Sequence, residues 1–122
     1  MPSTSLRNQS WDSYVLDFLG TARRVCIAVK EFRSRFDRWP DRLRIDSETL
    51  ESVREQLTPA GFDRLINLMS VELQDHHTLA VADSQQNLFD YNEPSGETKN
   101  TPTSMEEVTV WLWGVRPPAK FE

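Results

Sequence analysis

One short stretch of the sequence combines residue types that could bind a metal ion. Asp75, His76 and His77 are consecutive, and Asp83 and Asp90 follow them. Carboxylate oxygens and imidazole nitrogens are ligands of divalent metals. Adjacent residues of a strand point to opposite faces, however, and zinc ligands are ordinarily separated by about two or more residues. The pattern therefore favours a polar turn and predicts no cofactor. A small metal-dependent enzyme or ligand-binding protein that uses the His76-His77 region is the alternative hypothesis.

No other residues form a catalytic signature. The four glycines are scattered, and none opens a phosphate-binding loop between a strand and a helix. The single cysteine, Cys26, lies in the apolar run from Val25 to Val29, which predicts a buried thiol in a reducing compartment. The paired carboxylates Glu106 and Glu107 are better explained by helix capping. We therefore expect a protein that is not an enzyme.

Tryptophan and arginine residues indicate a protein-binding surface. Four tryptophans are many for so small a core. In a helix Trp111 and Trp113 would point about 200° apart, which predicts that one of them faces solvent. Exposed tryptophan beside arginine is typical of interface hot spots, although the tail after the last element could equally cover that indole. The candidate interaction residues are Arg33, Arg35, Arg38, Trp39, Trp111, Trp113 and Arg116.

Basic residues are concentrated in one segment of an acidic chain. The sequence has 14 Lys and Arg against 19 Asp and Glu, a net charge of −5. Between Thr21 and Arg44 the basic residues outnumber the acidic ones, giving this segment a local net charge of +5. Such a segment attracts an acidic partner or is neutralised by acidic elements of its own chain, and the second is favoured in a small domain. Overall acidity argues against binding to nucleic acid.

The sequence contains no segment that predicts membrane insertion or export. No uninterrupted apolar run approaches the roughly 20 residues of a membrane span, and the N-terminus lacks the apolar core of a signal peptide. We expect a cytoplasmic protein with one globular domain over residues 11–115. Composition predicts a disordered tail at 1–10, a flexible loop at 93–102 and an extended tail at 116–122.

An apolar stripe from Trp11 to Phe36 predicts a long amphipathic helix that organises the fold. The β-branched residues between Val25 and Val29 would also suit a strand, but the stripe is longer than an ordinary strand. Gly20 interrupts it, and a break there would let Thr21 cap a second helix. So regular a stripe could also pair with its copy in a homodimer. Its members, at steps of four and three, are Trp11, Val15, Phe18, Ala22, Val25, Val29, Phe32 and Phe36.

Helix caps and prolines divide the middle of the chain. Trp39-Pro40 ends the long helix, and residues 42–45 alternate as a short strand. Asp46 or Ser47 caps a helix that runs to about Gln56. Thr58-Pro59 begins a third helix, because proline suits the first helical position. The predicted buried face of the third helix comprises Phe62, Leu65, Ile66 and Met69.

After Met69 the apolar period changes to two, which predicts strands. The turn-rich segment 84–87 makes residues 78–83 and 88–92 an antiparallel hairpin, with Leu79, Val81, Phe89 and Tyr91 facing inward. Residues 103–114 alternate as an edge strand would, but two overlapping capping boxes favour a helix there.

Together these elements predict an α+β fold in which a long N-terminal amphipathic helix and short helices pack on a small antiparallel sheet containing the hairpin 78–92. The function that this sequence supports is a non-catalytic protein-interaction or regulatory module that binds another protein. Self-association through the long helix is one form of that hypothesis.

Overall fold

The predicted α+β class is confirmed by the computed structural model, which describes residues 10–92 and 102–118. Most of the predicted N-terminal tail and of the loop 93–102, and the last four residues, lie outside the described ranges. In the described part a 3-10 turn at Trp11–Ser13 precedes four helices and four strands. The helices are α1 (Thr21–Phe36), α2 (Ser47–Gln56), α3 (Pro59–Leu68) and α4 (Met105–Trp113), and the strands are β1 (Arg42–Asp46), β2 (Ser70–Gln74), β3 (Leu79–Ala82) and β4 (Leu88–Asp90).

The four strands form one mixed sheet in the order β2-β1-β3-β4. The predicted hairpin is confirmed, since β3 and β4 are antiparallel and Val81 lies opposite Phe89. The sheet is not wholly antiparallel, because β2 pairs in parallel with β1, with Leu43 opposite Val71. The chain leaves β1 through α2 and α3 before it returns as β2, and a crossover of this length brings the second strand back in the same direction.

The core lies between α1 and one face of the sheet. Val25, Val29 and Phe32 of α1 are fully buried, as are Leu43 of β1 and Val81 of β3. Helix α1 contacts β3, β4, α2 and α4, so its apolar stripe is covered within the same chain. Pairing of this stripe with a second copy would require α1 to leave its own sheet.

The predicted helix over residues 11–20 is wrong beyond the 3-10 turn, because residues 15–17 pair with Gln56 and Leu57 and do not continue the helix. Val15 forms an isolated antiparallel bridge with Leu57, and the N–H groups of residues 16 and 17 donate to the Gln56 carbonyl oxygen at 2.8 and 3.1 Å. Helix α1 begins at Thr21, where the sequence allowed a break, but Gly20 occupies the N-cap position. The Gln56 side chain accepts from Ala22 N–H at 2.7 Å and so satisfies a donor that the cap leaves unpaired.

The segment before α1 still packs into the core through its aromatic rings. The Trp11 ring lies edge-on to Phe18, with centroids 5.1 Å apart, and edge-on to Trp113 of α4, with centroids 5.8 Å apart. Edge-to-face contacts of this kind stabilise by roughly 0.5–1.5 kcal/mol beyond the burial of area.

The predicted caps of the later helices are confirmed, and so is the helix over residues 105–113. Each cap oxygen accepts a backbone N–H of the first turn, and α4 ends at Gly114 with a φ of 75°, which glycine adopts without strain. The three cap bonds run from Thr49 N–H to Asp46, from Gly61 N–H to Thr58 and from Glu107 N–H to Ser104, at 3.0, 3.0 and 3.1 Å.

One helix end and one buried face differ from the prediction. Helix α1 ends at Phe36, before Trp39-Pro40, because Asp37 adopts the left-handed conformation with a φ of 57°. Ile66 was placed on the buried face of the third helix but is 36% exposed.

Candidate functional site

The acidic and histidine residues of the 75–90 stretch are not brought together as one site. His76 and His77 are exposed in the turn before β3, whereas Asp83 follows the other end of that strand. The His77 Nδ1 atom lies 3.5 Å from Thr49 Oγ1 and 3.7 Å from Asp46 Oδ1. Over residues 10–92 and 102–118, no group of three His, Cys, Asp or Glu side chains is arranged to hold a metal.

Asp83 instead stabilises the turn between β3 and β4. Its carboxylate accepts from the N–H groups of Gln85 and Asn87 and from the Asn87 side chain, and it pairs with Arg38 at 3.0 Å. Burial raises the pKa of Asp83, but these hydrogen bonds and the Arg38 guanidinium lower it further, so the net shift is downward. The side chain is therefore held as a carboxylate with a structural role.

The Cys26 thiol is fully buried in α1, as the sequence predicts. Burial raises the pKa of the thiol far above its ordinary value, while the charge of Arg23 acts more weakly in the opposite direction. A thiol in this state is protonated at neutral pH and is a poor nucleophile.

Ion pairs within the chain compensate much of the basic segment. Arg38 pairs with Asp83, and Arg44 pairs with Glu72 at 2.9 Å, so acidic residues of later elements contact arginines of the basic segment. Arg35 lies 3.6 Å from Glu31 and its guanidinium lies over the Phe89 ring. Two of the candidate interaction residues, Arg35 and Arg38, are therefore directed toward the hairpin.

Three of the other candidates, Trp39, Trp111 and Arg116, meet in an open groove between α4 and the turn that follows α1. We call it the tryptophan groove; its volume is about 490 Å³. The Trp39 and Trp111 rings stack in parallel, with centroids 4.6 Å apart and planes 5° apart. The lining includes Trp39, Glu106, Glu107, Val110, Trp111 and Arg116. The sequence predicted Trp39, Trp111 and Arg116 as candidates, and these three residues share one surface. Trp39 lies 72 positions before Trp111 along the chain.

The end of α1 holds Trp39 in place. Asp37 turns the chain out of the helix and donates its N–H to the Arg33 carbonyl oxygen at 2.8 Å. The Arg33 side chain returns a hydrogen bond to the Asp37 carbonyl oxygen at 3.0 Å, and its guanidinium lies over the Trp39 ring at 4.8 Å. A cation over an indole face stabilises by roughly 0.5–1 kcal/mol at such sites.

The helical rotation of α4 separates its two tryptophans, as predicted. Trp113 is 1% exposed, and its Nε1–H donates to the Gly61 carbonyl oxygen at 3.1 Å. It is a core residue and does not contribute to the groove. Trp111 is half-buried and contributes one of the two stacked rings.

The indole N–H groups of the groove differ from that of Trp113. Among the residues that the structure describes, neither Trp39 nor Trp111 donates a hydrogen bond from Nε1. The groove therefore combines two aromatic side chains with carboxylate, guanidinium and hydroxyl groups. Such a combination of aromatic area and a few polar groups is typical of binding sites.

The charges at the groove come from α4 and the segment after it. Glu106 accepts from Arg116 Nε at 2.7 Å, so these two charges neutralise each other. Glu107 contacts only the capping Ser104 hydroxyl at 3.4 Å and makes no ion pair with a described residue. Within residues 10–92 and 102–118, one carboxylate of the groove is therefore not paired with a cation.

Sequence reasoning missed Glu106, Glu107 and Val110 as groove residues. Both glutamates were assigned only to capping, and Val110, which is 43% exposed, was given no role. The spacing contained a usable signal, because Glu107 and Trp111 are four residues apart and therefore share one helix face.

Neither a protein-family model, nor a curated protein, nor a solved structure matches this chain. The groove therefore has to be interpreted from its own geometry. Over residues 10–92 and 102–118, every helix falls short of the length and hydrophobicity needed to cross a bilayer.

Proposed function

We propose that this protein is a non-catalytic interaction module that binds a segment of another protein in the tryptophan groove. The observation that carries the proposal is the parallel stack of Trp39 and Trp111 in an open groove with both indole donors unused by the described residues. Tryptophan is enriched among the residues that dominate binding energy at interfaces, and a half-buried ring is already positioned to bind.

Two features of the groove support a binding role over a catalytic one. Its polar side chains are Ser104, Glu106, Glu107 and Arg116, and the described lining residues include no histidine, cysteine or lysine. The one hydroxyl, that of Ser104, accepts the Glu107 N–H as the cap of α4, so its role is structural. The groove is open, whereas an acid–base pair of carboxylates needs a cleft that shifts their pKa values.

A pair of matched substitutions tests the proposal. Val110→Lys places a cation in the groove, and Leu88→Lys makes the same change on β4 at nearly the same exposure, 44% against 43%. Proteins captured from the native host by the wild-type chain and by both variants are compared quantitatively. The protein that Val110→Lys fails to capture is then purified and titrated by calorimetry.

We expect Val110→Lys to weaken the affinity for the purified partner by about tenfold or more, equal to about 1.4 kcal/mol, and Leu88→Lys to change it by less than about twofold. Equal affinities for all three chains, equal losses for both variants, or no protein whose capture depends on Val110 would each contradict the proposal. Light scattering adds one further outcome: a dimer that only Val110→Lys dissociates would assign the groove to a second copy of the chain.

A further inference from the structure

A second pocket lies beside Pro118, the last residue that the structure describes. Its volume is about 400 Å³, and it is formed by the segment before α1 together with Pro118. The lining includes Trp11, Val15, Leu16, Phe18, Leu19 and Pro118. The pocket shares no lining residue with the tryptophan groove and is therefore a separate surface.

Two leucines leave apolar surface exposed at this pocket. Leu16 is 67% exposed and Leu19 is 79% exposed, the highest values among the large hydrophobic residues of the described ranges. The Leu16 N–H donates to the Gln56 carbonyl oxygen at 2.8 Å, and the Leu19 N–H donates to the Asp17 carboxylate at 3.1 Å. The main chain thus holds both leucines at the surface, where contact with a further apolar group would be favourable.

The path of the chain after α4 leads to this pocket. Residues 114–118 line a neighbouring pocket together with Ser10 and Trp11, so this stretch passes beside the N-terminal segment. Pro118 lines both pockets, and the ring of a proline limits the directions in which the chain can continue. The residues that follow Pro118 therefore start at the rim of the second pocket.

The sequence after Pro118 contains a side chain that suits an apolar pocket. Ala119, Lys120, Phe121 and Glu122 lie outside the described ranges, and Phe121 is the third of them. Three extended residues span about 10 Å, and a cavity of about 150 Å³ is enough to hold benzene. A phenylalanine ring on a tether of this length can therefore enter a pocket of about 400 Å³.

The charges at the pocket complement the same segment. Asp12 and Asp17 both line the pocket, and within residues 10–92 and 102–118 neither carboxylate forms an ion pair. Lys120 directly precedes Phe121 and would bring a cation to these carboxylates. A segment attached at the rim is also present at an effective concentration on the order of millimolar, which favours it over a partner from solution.

From these observations we infer that the pocket is an intramolecular docking site for residues 119–122. The Phe121 ring packs against Leu16 and Leu19, and the Lys120 ammonium pairs with Asp12 or Asp17. The docked segment joins the end of α4 to the segment before α1. This inference does not depend on the proposed function, because the two surfaces have no lining residue in common.

Nuclear Overhauser effects between the Phe121 ring and leucine methyl groups test the docking directly. The full chain carries ¹³C-labelled leucine methyl groups, and the signals of Leu16 and Leu19 are assigned with Leu16→Ile and Leu19→Ile. We expect Overhauser effects from the Phe121 ring to at least one of these two leucines. Phe121→Ala should shift the same methyl signals and leave those of Leu88, which is 44% exposed on β4, unchanged.

Cleavage by trypsin after Lys120 measures how firmly the segment is held. When opening is fast, the cleavage rate follows the population of the open form. Leu19→Asn leaves the cleaved bond unchanged but removes an apolar contact, so we expect cleavage about tenfold faster than in wild type. Leu88→Asn is the matched control and should change the rate by less than about twofold. Mass spectrometry follows the loss of Phe121 and Glu122.

Three outcomes would overturn the inference. The first is the absence of an Overhauser effect between Phe121 and either leucine in the wild-type chain. The second is equal acceleration of cleavage by Leu19→Asn and Leu88→Asn, which would show that the segment is not held at this pocket. The third is an Overhauser effect that arises only between differently labelled copies in a mixed sample, which would assign the pocket to the segment of a second copy.

Discussion

At the scale of single residues, Asp46 joins three segments of the chain through one carboxylate. Its Oδ1 atom accepts from Thr49 Oγ1 at 2.6 Å and from Thr78 N–H at 3.0 Å, and its Oδ2 atom accepts from Thr49 N–H at 3.0 Å. Burial raises the pKa of Asp46, but these hydrogen bonds to the charged form together lower it more, from 3.8 to about 2. The end of β1, the start of α2 and the turn before β3 therefore depend on this ionised group.

The substitution Asp46→Asn should destabilise the protein in a pH-dependent manner. Because the folded pKa lies below that of the unfolded chain, the carboxylate stabilises the fold above about pH 4, and this stabilisation is lost as the pH falls toward about 2. We expect the variant to lose roughly 1–2 kcal/mol of unfolding free energy at pH 7, and the difference from wild type to shrink between pH 4 and pH 2.

Urea denaturation of both proteins at several pH values measures this difference. Asp63→Asn, at an exposed position of α3, is the control and should change the unfolding free energy at pH 7 by less than about 0.5 kcal/mol. A difference between wild type and Asp46→Asn that stays constant down to pH 2 would show that the charge of Asp46 does not contribute.

At the scale of elements, α3 packs closely against the N-terminal segment at Gly61, which has no side chain. A Cβ atom on Gly61 would overlap the carbonyl oxygen of Tyr14. The same oxygen accepts from Thr58 N–H at 3.1 Å, and the Thr58 hydroxyl donates to the Ser13 carbonyl oxygen at 2.6 Å. The start of α3 is therefore fixed against a backbone that has little room to move.

Gly61→Ala should destabilise the protein although alanine is the better helix former. Helix propensity alone would favour the substitution by about 1 kcal/mol, but the overlap with the Tyr14 backbone should outweigh it and give a net loss of about 2 kcal/mol or more. Gly20→Ala is the matched control, because its Cβ would meet only the end of the flexible Gln56 side chain.

Thermal and urea unfolding compare the two alanine variants. We expect Gly20→Ala to cost less than Gly61→Ala, because the end of the Gln56 side chain can move whereas the Tyr14 backbone cannot, and the remaining cost to come from disturbing the Gln56 hydrogen bond to Ala22 N–H. If Gly61→Ala were as stable as wild type, the segment around Tyr14 would not be packed against α3 as described.

The elements that the sequence predicted well are those determined by local chemistry. The caps at Asp46, Thr58 and Ser104 involve residues three positions apart, and the structure contains all three. The conformation of residues 11–20 could not be predicted in this way. The N–H of Ala22, at the start of α1, donates to the side chain of Gln56, which is 34 positions away. The parallel pairing of β2 with β1 likewise joins segments that are far apart in the sequence. The alternation of apolar and polar residues within a strand does not specify its partner or its direction.

The candidate site was predicted in its parts but not in its arrangement. Composition and helical rotation identified Trp39, Trp111 and Arg116 separately. Their proximity depends on how α4 packs against the end of α1, and no pattern along the chain encodes that contact. The same long-range packing directs Arg35 toward Glu31 and Phe89 and buries Trp113.

At the scale of the whole molecule, the sheet has a protected centre and an open edge. Strand β1 lies between β2 and β3, whereas β2 has a partner on one side only in the described part of the chain. Ser70 N–H donates to the Asp41 carbonyl oxygen, so the N–H groups of Val71 and Leu73 alternate to the side away from β1. The carbonyl oxygen of Leu73 on this edge accepts a hydrogen bond from the Gln74 side-chain amide at 3.2 Å.

Hydrogen exchange should follow this arrangement. We expect the amide hydrogens of Leu43 and Val81 to exchange only with global unfolding, and those of Val71 and Leu73 to exchange orders of magnitude faster. Residue-resolved exchange followed by NMR at two protein concentrations is the measurement. Slow exchange at Val71 and Leu73 that appears only at the higher concentration would indicate that a second copy covers β2, whereas slow exchange at both concentrations would contradict an open edge.

The contacts of Trp11 and Gln56 have a practical consequence for anyone who shortens this protein. Thr21 begins the first long helix and looks like a natural starting point for a minimal version. Such a version would lose the indole that lies against Trp113 and would leave the Gln56 carbonyl oxygen without its two N–H donors. Expression tags and fusion partners therefore belong ahead of residue 10, with the whole of the Trp11 to Gly20 segment retained.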